Sequence, residues 1–423
     1  MPYPKEELLH HIWQHCLFSS QGLKTNDGQL LEIVRAGELN TDSGPDFRNS
    51  RIKVDGTEWA GNVEIHIRSS DWLRHKHQHD SAYANIILHV VFENDLDESV
   101  GSFPTLELKS LVSDQVLKRY ENLNNSSDNL PCGKQFLDVP KLIRNAWFDS
   151  LLIGRVQRKS EWINGLVDEC KGDLEQAFMV VLFRAFGMKV NTEPFEQLAK
   201  QTSWKMLAKH QDNLFQLEAI LFGNAGFLKN PKDDYSQQLR KEFAFLQHKY
   251  NLKPMDEKLW KFMRLRPANF PTIRISQLAS LFQKTGAFYA WFSNQPEKVQ
   301  FQNLLVSPSE YWETHYNFGT ESTKKSKRIG TTMAQNILIN AVAPFLFVSA
   351  HREAKPELQD RALTILQELP AEKNIKVNVF TKQGLKVENA AESQALIELK
   401  TNFCDHKKCL ICSIGANVLK RES

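Results

Sequence analysis

The hydrophobic period of this chain changes once, and that change limits what the chain can fold into. Leu30 to Arg35, Arg48 to Val54, Gly61 to Arg68, Ile86 to Phe92 and Thr105 to Leu111 are short runs of β character with turn residues between them. Gly61 to Arg68 alternates Val63, Ile65 and Ile67 against Glu64, His66 and Arg68. Asp55-Gly56 between the second and third runs is a hairpin signal. Ile86 to Phe92 is continuously apolar, as suits a central strand covered on both faces. Leu8, Leu9, Ile12, Trp13 and Cys16 have helical spacing over residues 5–17. The Ser-Ser-Asp cap signal predicts a partly helical stretch from Ser69 to Ala84. The order is helix, three strands, helix, strand, strand.

A polar stretch from Asn122 to Gly133 ends this pattern, and beyond it the period is 3.6. Asp138 and Pro140 sit where an N-cap and an early helical proline belong. Most of residues 135–370 reads as helices, with breaks at Gly187, Gly223, Pro231, Pro267, Pro271 and Pro344. The expected organisation is an α/β core over 1–115, a linker over 116–134, a helical region over 135–392 and a C-terminal helix with a cysteine cluster over 393–423. The fold class is α+β.

A formal charge of +3 over 423 residues gives no general attraction to nucleic acid or membrane, so only local clusters could supply one. Tyr3-Pro4-Lys5-Glu6-Glu7 does not resemble a secretory leader. The longest apolar run, Ile337 to Ala350, is shorter than the roughly 18 residues a membrane span needs, and Asn340 and Pro344 interrupt it. Six cysteines in a chain this long are not a disulfide scaffold. These features predict a cytoplasmic protein with no membrane partner.

The chemistry is concentrated around Gly44-Pro45-Asp46-Phe47 and Gly61-Asn62-Val63-Glu64-Ile65-His66. Residues two apart in a strand face the same way, so Glu64, His66 and Arg68 project together. The hairpin brings Asp46 to the neighbouring strand. Two carboxylates so placed suit Mg²⁺, a hard cation that takes oxygen ligands. A nearby basic group can position or deprotonate water. Glu38 is a weaker third carboxylate.

A Pro-Asp at the start of one strand followed by Glu-x-Lys on the next resembles the signature of the PD-(D/E)xK nuclease superfamily. The element order resembles that restriction-endonuclease-like core, over about a quarter of the chain. The resemblance implies a metal-dependent nucleic-acid phosphodiesterase, with Asp46 and Glu64 holding Mg²⁺ or Mn²⁺ and His66 assisting. It also implies substrate contacts from His79, Asp80 and Tyr83, on the helix after the third strand. Ser70 could contact a phosphate, but capping that helix is the simpler role for Ser69, Ser70 and Asp71. One departure matters: His66 stands where the superfamily has lysine, and histidine carries no fixed charge at neutral pH. The alternative expectation is a non-catalytic nucleic-acid-binding or assembly protein on a degenerate nuclease fold.

Trp72-Leu73-Arg74-His75-Lys76-His77-Gln78-His79-Asp80 alternates histidines as a metallo-hydrolase would. A zinc site joining them to His66 and His89 is the third reading. For His75 and His77, a polar, partly exposed helix start is preferred. In the helical region Lys261, Arg264, Arg266 and Arg274 flank prolines on a rigid connector, so Arg266, Asn269 and Arg274 are expected to contact phosphate. Lys324, Lys325, Lys327 and Arg328 read as a solvated loop, and Arg155, Arg158 and Lys159 form a third basic group.

Cys404, Cys409 and Cys412 have C-x4-C-x2-C spacing. Three clustered cysteines and a remote one can hold an iron–sulfur cluster. Cys16 is the expected fourth ligand and Cys132 the second choice; a structural zinc would instead recruit His406. Some PD-(D/E)xK exonucleases have a similar cysteine set. Gly44 to Phe47, Gly61 to His66, Ser70 to Trp72, Ile87 to Val91, Arg266 to Arg274 and Cys404 to Cys412 together resemble a bacterial domain-of-unknown-function family common in Bacteroidetes.

Overall fold

The computed structural model describes residues 3–420, less the side chains at 297 and 299. The chain forms two compact units. The first takes the chain up to residue 149, with 374–386 and the stretch from 396 onward; the second takes 150–373 and 387–395.

In the first unit, α1 (Glu6–Gln14) carries Glu6 and Glu7 in its first turn, where acidic groups favour the helix dipole. It buries Leu8, Leu9, Ile12 and Trp13. The sheet contains β1 (Leu31–Arg35), β2 (Glu38–Leu39), β3 (Phe47–Val54), β4 (Thr57–Arg68), β5 (Ile86–Glu93) and β6 (Thr105–Glu107). Its order is β1-β3-β4-β5-β6, with β2 paired to β3. The pairs β1–β3 and β3–β4 are antiparallel, while β4–β5 and β5–β6 are parallel. Asp55 (φ 47°) and Gly56 (φ 85°) both take the positive φ that a two-residue type I′ hairpin demands. Val63, Ile65, Leu88 and Val90 join the α1 side chains in one apolar core. Each buried side chain of this size contributes about 1.5–3 kcal/mol.

Residues 69–85 are the crossover that parallel pairing requires. Less of it is helical than the cap signal predicts. It holds α2 (Asp71–Arg74) and two single 3₁₀ turns, His77–His79 and Ser81–Tyr83. Its return to the sheet depends on Gly61: a Cβ there would lie 2.5 Å from Ile87 Cγ2 and 2.7 Å from the Asn85 carbonyl oxygen.

The expected linker over 116–134 differs most from the structure. A helix, α3 (Asp114–Asn125), runs into it, capped by the Ser113 side chain on the Gln115 N–H and burying Leu117 and Leu123. Its asparagine-rich end has low helix propensity, which hid it from a composition reading. The unit also does not end at residue 115. The Phe136 and Phe380 rings lie 5.4 Å apart and those of Trp147 and Phe403 5.3 Å apart, all within this unit.

The second unit is helical apart from a short hairpin, His315–Asn317 with Thr320–Glu321, inside a stretch read as helix. Gly187 ends a helix and Pro271 opens one. Gly223 instead lies within Leu214–Asn224, where an added Cβ would meet the Phe243 ring at 2.1 Å. Thr331–Arg352 is long and apolar enough to cross a membrane, and 83% of its most apolar window is buried within the protein. Pro344 does not break it. A π-helical turn, Leu338–Val342, precedes the proline and accommodates the missing N–H.

Candidate metal centre

Asp46 immediately precedes β3, and Glu64 lies on β4; the Asp55-Gly56 hairpin pairs the two strands, and a register shift between Phe47 and Ser50, where Asn49 takes φ 58°, sets the final spacing. The Asp46 N–H donates to Glu64 Oε2 at 3.1 Å, and the Ile65 N–H donates to Asp46 Oδ2 at 2.9 Å. Each carboxylate is thus fixed by a backbone N–H of the facing strand segment, Glu64 by that of Asp46 and Asp46 by that of Ile65. Glu64 is buried, and burial, followed by the nearby Asp46 charge, pushes its carboxyl up to about 9.

Helix α1 adds two groups that the sequence reading missed. Glu6, His10 and Asp46 place ligand atoms within 4.8 Å of one another. His10 Nε2 lies 3.3 Å from Asp46 Oδ2, an ion-pair distance without hydrogen-bond alignment. Burial opposes charge on His10, but Asp46, Glu6 and Glu7 together outweigh it and the imidazole is held above its ordinary value. Glu6 and His10 are four apart and so share a helix face, which was the available signal. Glu38 is exposed and paired with Arg35 at 2.6 Å, so it does not join this group.

His66 lies on β4 beside Glu64. Burial, then His89, His75 and His77, lower its imidazole to about 2. It is neutral and cannot replace a lysine's charge. Its Nδ1 is 2.9 Å from His89 Nε2, and its Nε2 is 3.1 Å from His75 Nδ1. His66, His75 and His77 form a second group with all ligand atoms within 4.8 Å. Glu64 Oε1 is 3.7 Å from His66 Nε2 and 3.4 Å from His77 Nε2. His75 is exposed and His77 half-buried, as expected of a polar helix start, and both also converge on His66. Lys76, in the left-handed region between them (φ 62°, ψ 30°), turns the chain so that both reach His66. Trp72 is buried against His66, His77 and His89.

Of the expected substrate contacts, Tyr83 is at the site. Its ring stacks on His77 at 3.9 Å, and burial, followed by Glu64 and Asp46, raises its hydroxyl to about 12. Ser70 is occupied: its hydroxyl and N–H both donate to Asp95, at 2.7 and 2.9 Å. Asp80 caps the Ser81–Tyr83 turn, and His79 is exposed on the turn before it. In the second unit Arg266 is exposed, but Arg274 is buried. Arg274 donates to Gln277 Oε1 at 2.7 Å and to Asn269 Oδ1 at 2.6 Å, and burial lowers its guanidinium to about 10. Arg274 and Asn269 are thus turned inward instead of towards a phosphate. Lys327 is likewise buried, with Nζ donating to the Glu313 carbonyl at 2.8 Å.

The cysteines also regroup. Burial, then Cys412 and Cys409, push the Cys132 thiol up to about 12, and the Cys404 thiol is raised by burial and by Cys132, Cys412 and Cys409. Cys132 therefore lies near Cys404, Cys409 and Cys412. Cys16 is exposed, with Lys420 the only charge affecting its thiol, and His406 is exposed. Among the described residues, the sulfurs do not approach within the 4.8 Å that the two groups above satisfy.

No curated protein and no solved structure matches the chain. The profile of one family does, over residues 6–375, which takes in the whole carboxylate and histidine constellation and Cys132 but stops short of Cys404. The chain belongs to that family, described as protein of unknown function DUF2851.

Proposed function

We propose that this protein is a metal-dependent nucleic-acid phosphodiesterase, centred on Asp46 and Glu64. The observation that carries the reading is that backbone N–H groups of Asp46 and Ile65 hold the Glu64 and Asp46 carboxylates side by side, with Glu6 and His10 alongside Asp46. The helix, three-strand meander, crossover and parallel strand agree with the PD-(D/E)xK resemblance in element order. A hard divalent cation such as Mg²⁺ or Mn²⁺ fits carboxylate oxygens and would stabilise charge on the leaving oxygen. Asp46 and Glu64 would hold and orient it. His10 takes the part assigned to lysine in the resembled superfamily. It supplies positive charge at the Asp46 edge when protonated and accepts a proton from water when neutral. Tyr83 would orient substrate at the rim through its hydroxyl.

The test is a cleavage assay on single- and double-stranded DNA and RNA with Mg²⁺ or Mn²⁺. We expect Asp46→Ala and Glu64→Ala each to lower the rate at least about 1000-fold, the scale of several kcal/mol of transition-state stabilisation. Absence of metal-dependent cleavage by the wild type, with nucleic-acid binding retained, would sink this reading. It would favour a non-catalytic binding protein, which the neutral, buried His66 also fits.

A further inference from the structure

The structure assigns a second metal position, beside the carboxylate one, to His66, His75 and His77, with Glu64 Oε1 at its edge, and it suits a zinc-class transition ion. The spacing is that of zinc ligands. Ligands about 2.0–2.1 Å from a zinc ion lie about 3.3 Å from each other along the edges of a tetrahedron. The three measured edges are 3.1, 3.7 and 3.4 Å (His66 to His75, His66 to Glu64, His77 to Glu64). Each of the three imidazoles places a ring nitrogen within 4.8 Å of the other two, and Glu64 lies outside that set.

The donor chemistry separates this position from its neighbour. Imidazole suits zinc and other late first-row ions, whereas Mg²⁺ prefers oxygen. Glu64 is the shared wall. Its Oε2 accepts from the Asp46 N–H, while its Oε1 faces the histidines.

The surroundings orient the ligands. His66 can present an unprotonated Nε2 only if Nδ1 carries the proton, and His89 Nε2 is there to accept it at 2.9 Å. Trp72 packs against His66 and His77 from the crossover. Because His75 is exposed while His66 and Glu64 are buried, an ion would enter from the crossover side.

The experiment is Co²⁺ and Zn²⁺ titration of chelator-stripped full-length protein, read by the visible Co²⁺ spectrum and by metal content. Wild type should bind, besides any ion at the carboxylates or the cysteines, one ion whose tetrahedral-type Co²⁺ spectrum is free of thiolate bands. His75→Ala and His77→Ala, with circular dichroism unchanged, should each weaken binding more than about 100-fold, beyond the cost of losing an outer partner alone. Asp46→Ala should retain the spectrum, which separates this position from the phosphodiesterase centre. No binding by wild type, or unchanged binding in both histidine variants, overturns the assignment. If an alanine variant unfolds, X-ray absorption of the zinc-loaded wild type decides: imidazole scattering supports the site, and a shell of oxygens alone overturns it.

Discussion

His66 marks the difference between a position and a property. Its place on β4 beside Glu64 follows from strand alternation, but its protonation follows from what covers it. Four neighbours, His75, His77, His89 and Trp72, leave the ring dry and neutral. The same physics predicts an acid-labile residue away from the site. His11 is buried on α1, and burial, then His15 and Lys420, lower its imidazole to about 4 from an ordinary 6.5. As pH falls through this window the unfolded chain takes up a proton that the folded chain refuses, so stability falls. The loss is up to about 3 kcal/mol and is complete below the folded value. We expect His11→Phe to lose less stability than wild type between pH 7 and 4.5, measured by urea denaturation; equal losses would refute this.

At the scale of elements, the crossover over 69–85 decides the site. It has little regular structure, so its side-chain directions come from particular turns such as the left-handed Lys76. Trp72 anchors it, packed on Phe103 at 4.8 Å and on His89 at 5.4 Å. Trp72→Ala should cost about 3–5 kcal/mol in chemical denaturation and loosen Co²⁺ binding at the histidines. A stability change under about 1 kcal/mol would mean the crossover is held by something else. The cysteine set makes a parallel case. The Asn124 carbonyl, at the end of α3, accepts from Lys407 Nζ at 2.6 Å, and Cys132 follows a few residues later. We expect Cys132→Ser to lower the iron or zinc retained by anaerobically purified protein and Cys16→Ser to leave it unchanged. The reverse result would restore Cys16 as the fourth ligand.

At the scale of the molecule, the first unit is closed by chain that returns from far along the sequence. Phe380 and Phe403 pack on Phe136 and Trp147, and Arg119 donates to the Leu419 carbonyl at 3.5 Å. Residues 1–149 expressed alone would expose the apolar surface these segments cover. We expect that fragment to bind a hydrophobic dye and to melt well below the full chain. A fragment with the full chain's melting temperature would show that the returning segments contribute nothing to stability.

Sequence alone determined what depends on neighbours in the chain. Period 2 made the strands and Asp55-Gly56 made the hairpin that pairs them, while the register shift between Phe47 and Ser50 that sets Asp46 against Glu64 was not legible in the sequence. Only the tertiary structure decided what depends on distant or irregular chain. Glu6 and His10 reached Asp46 because α1 packs where it does, and Cys132 came near Cys412 and Cys409 because the returning segment passes it. Arg274 turned inward on Asn269 and Gln277 although its proline-bounded loop read as a binding surface. His75 and His77 became candidate ligands only when the crossover folded over β4. Spacing in sequence reports direction only within a regular element, and the chain there is not regular.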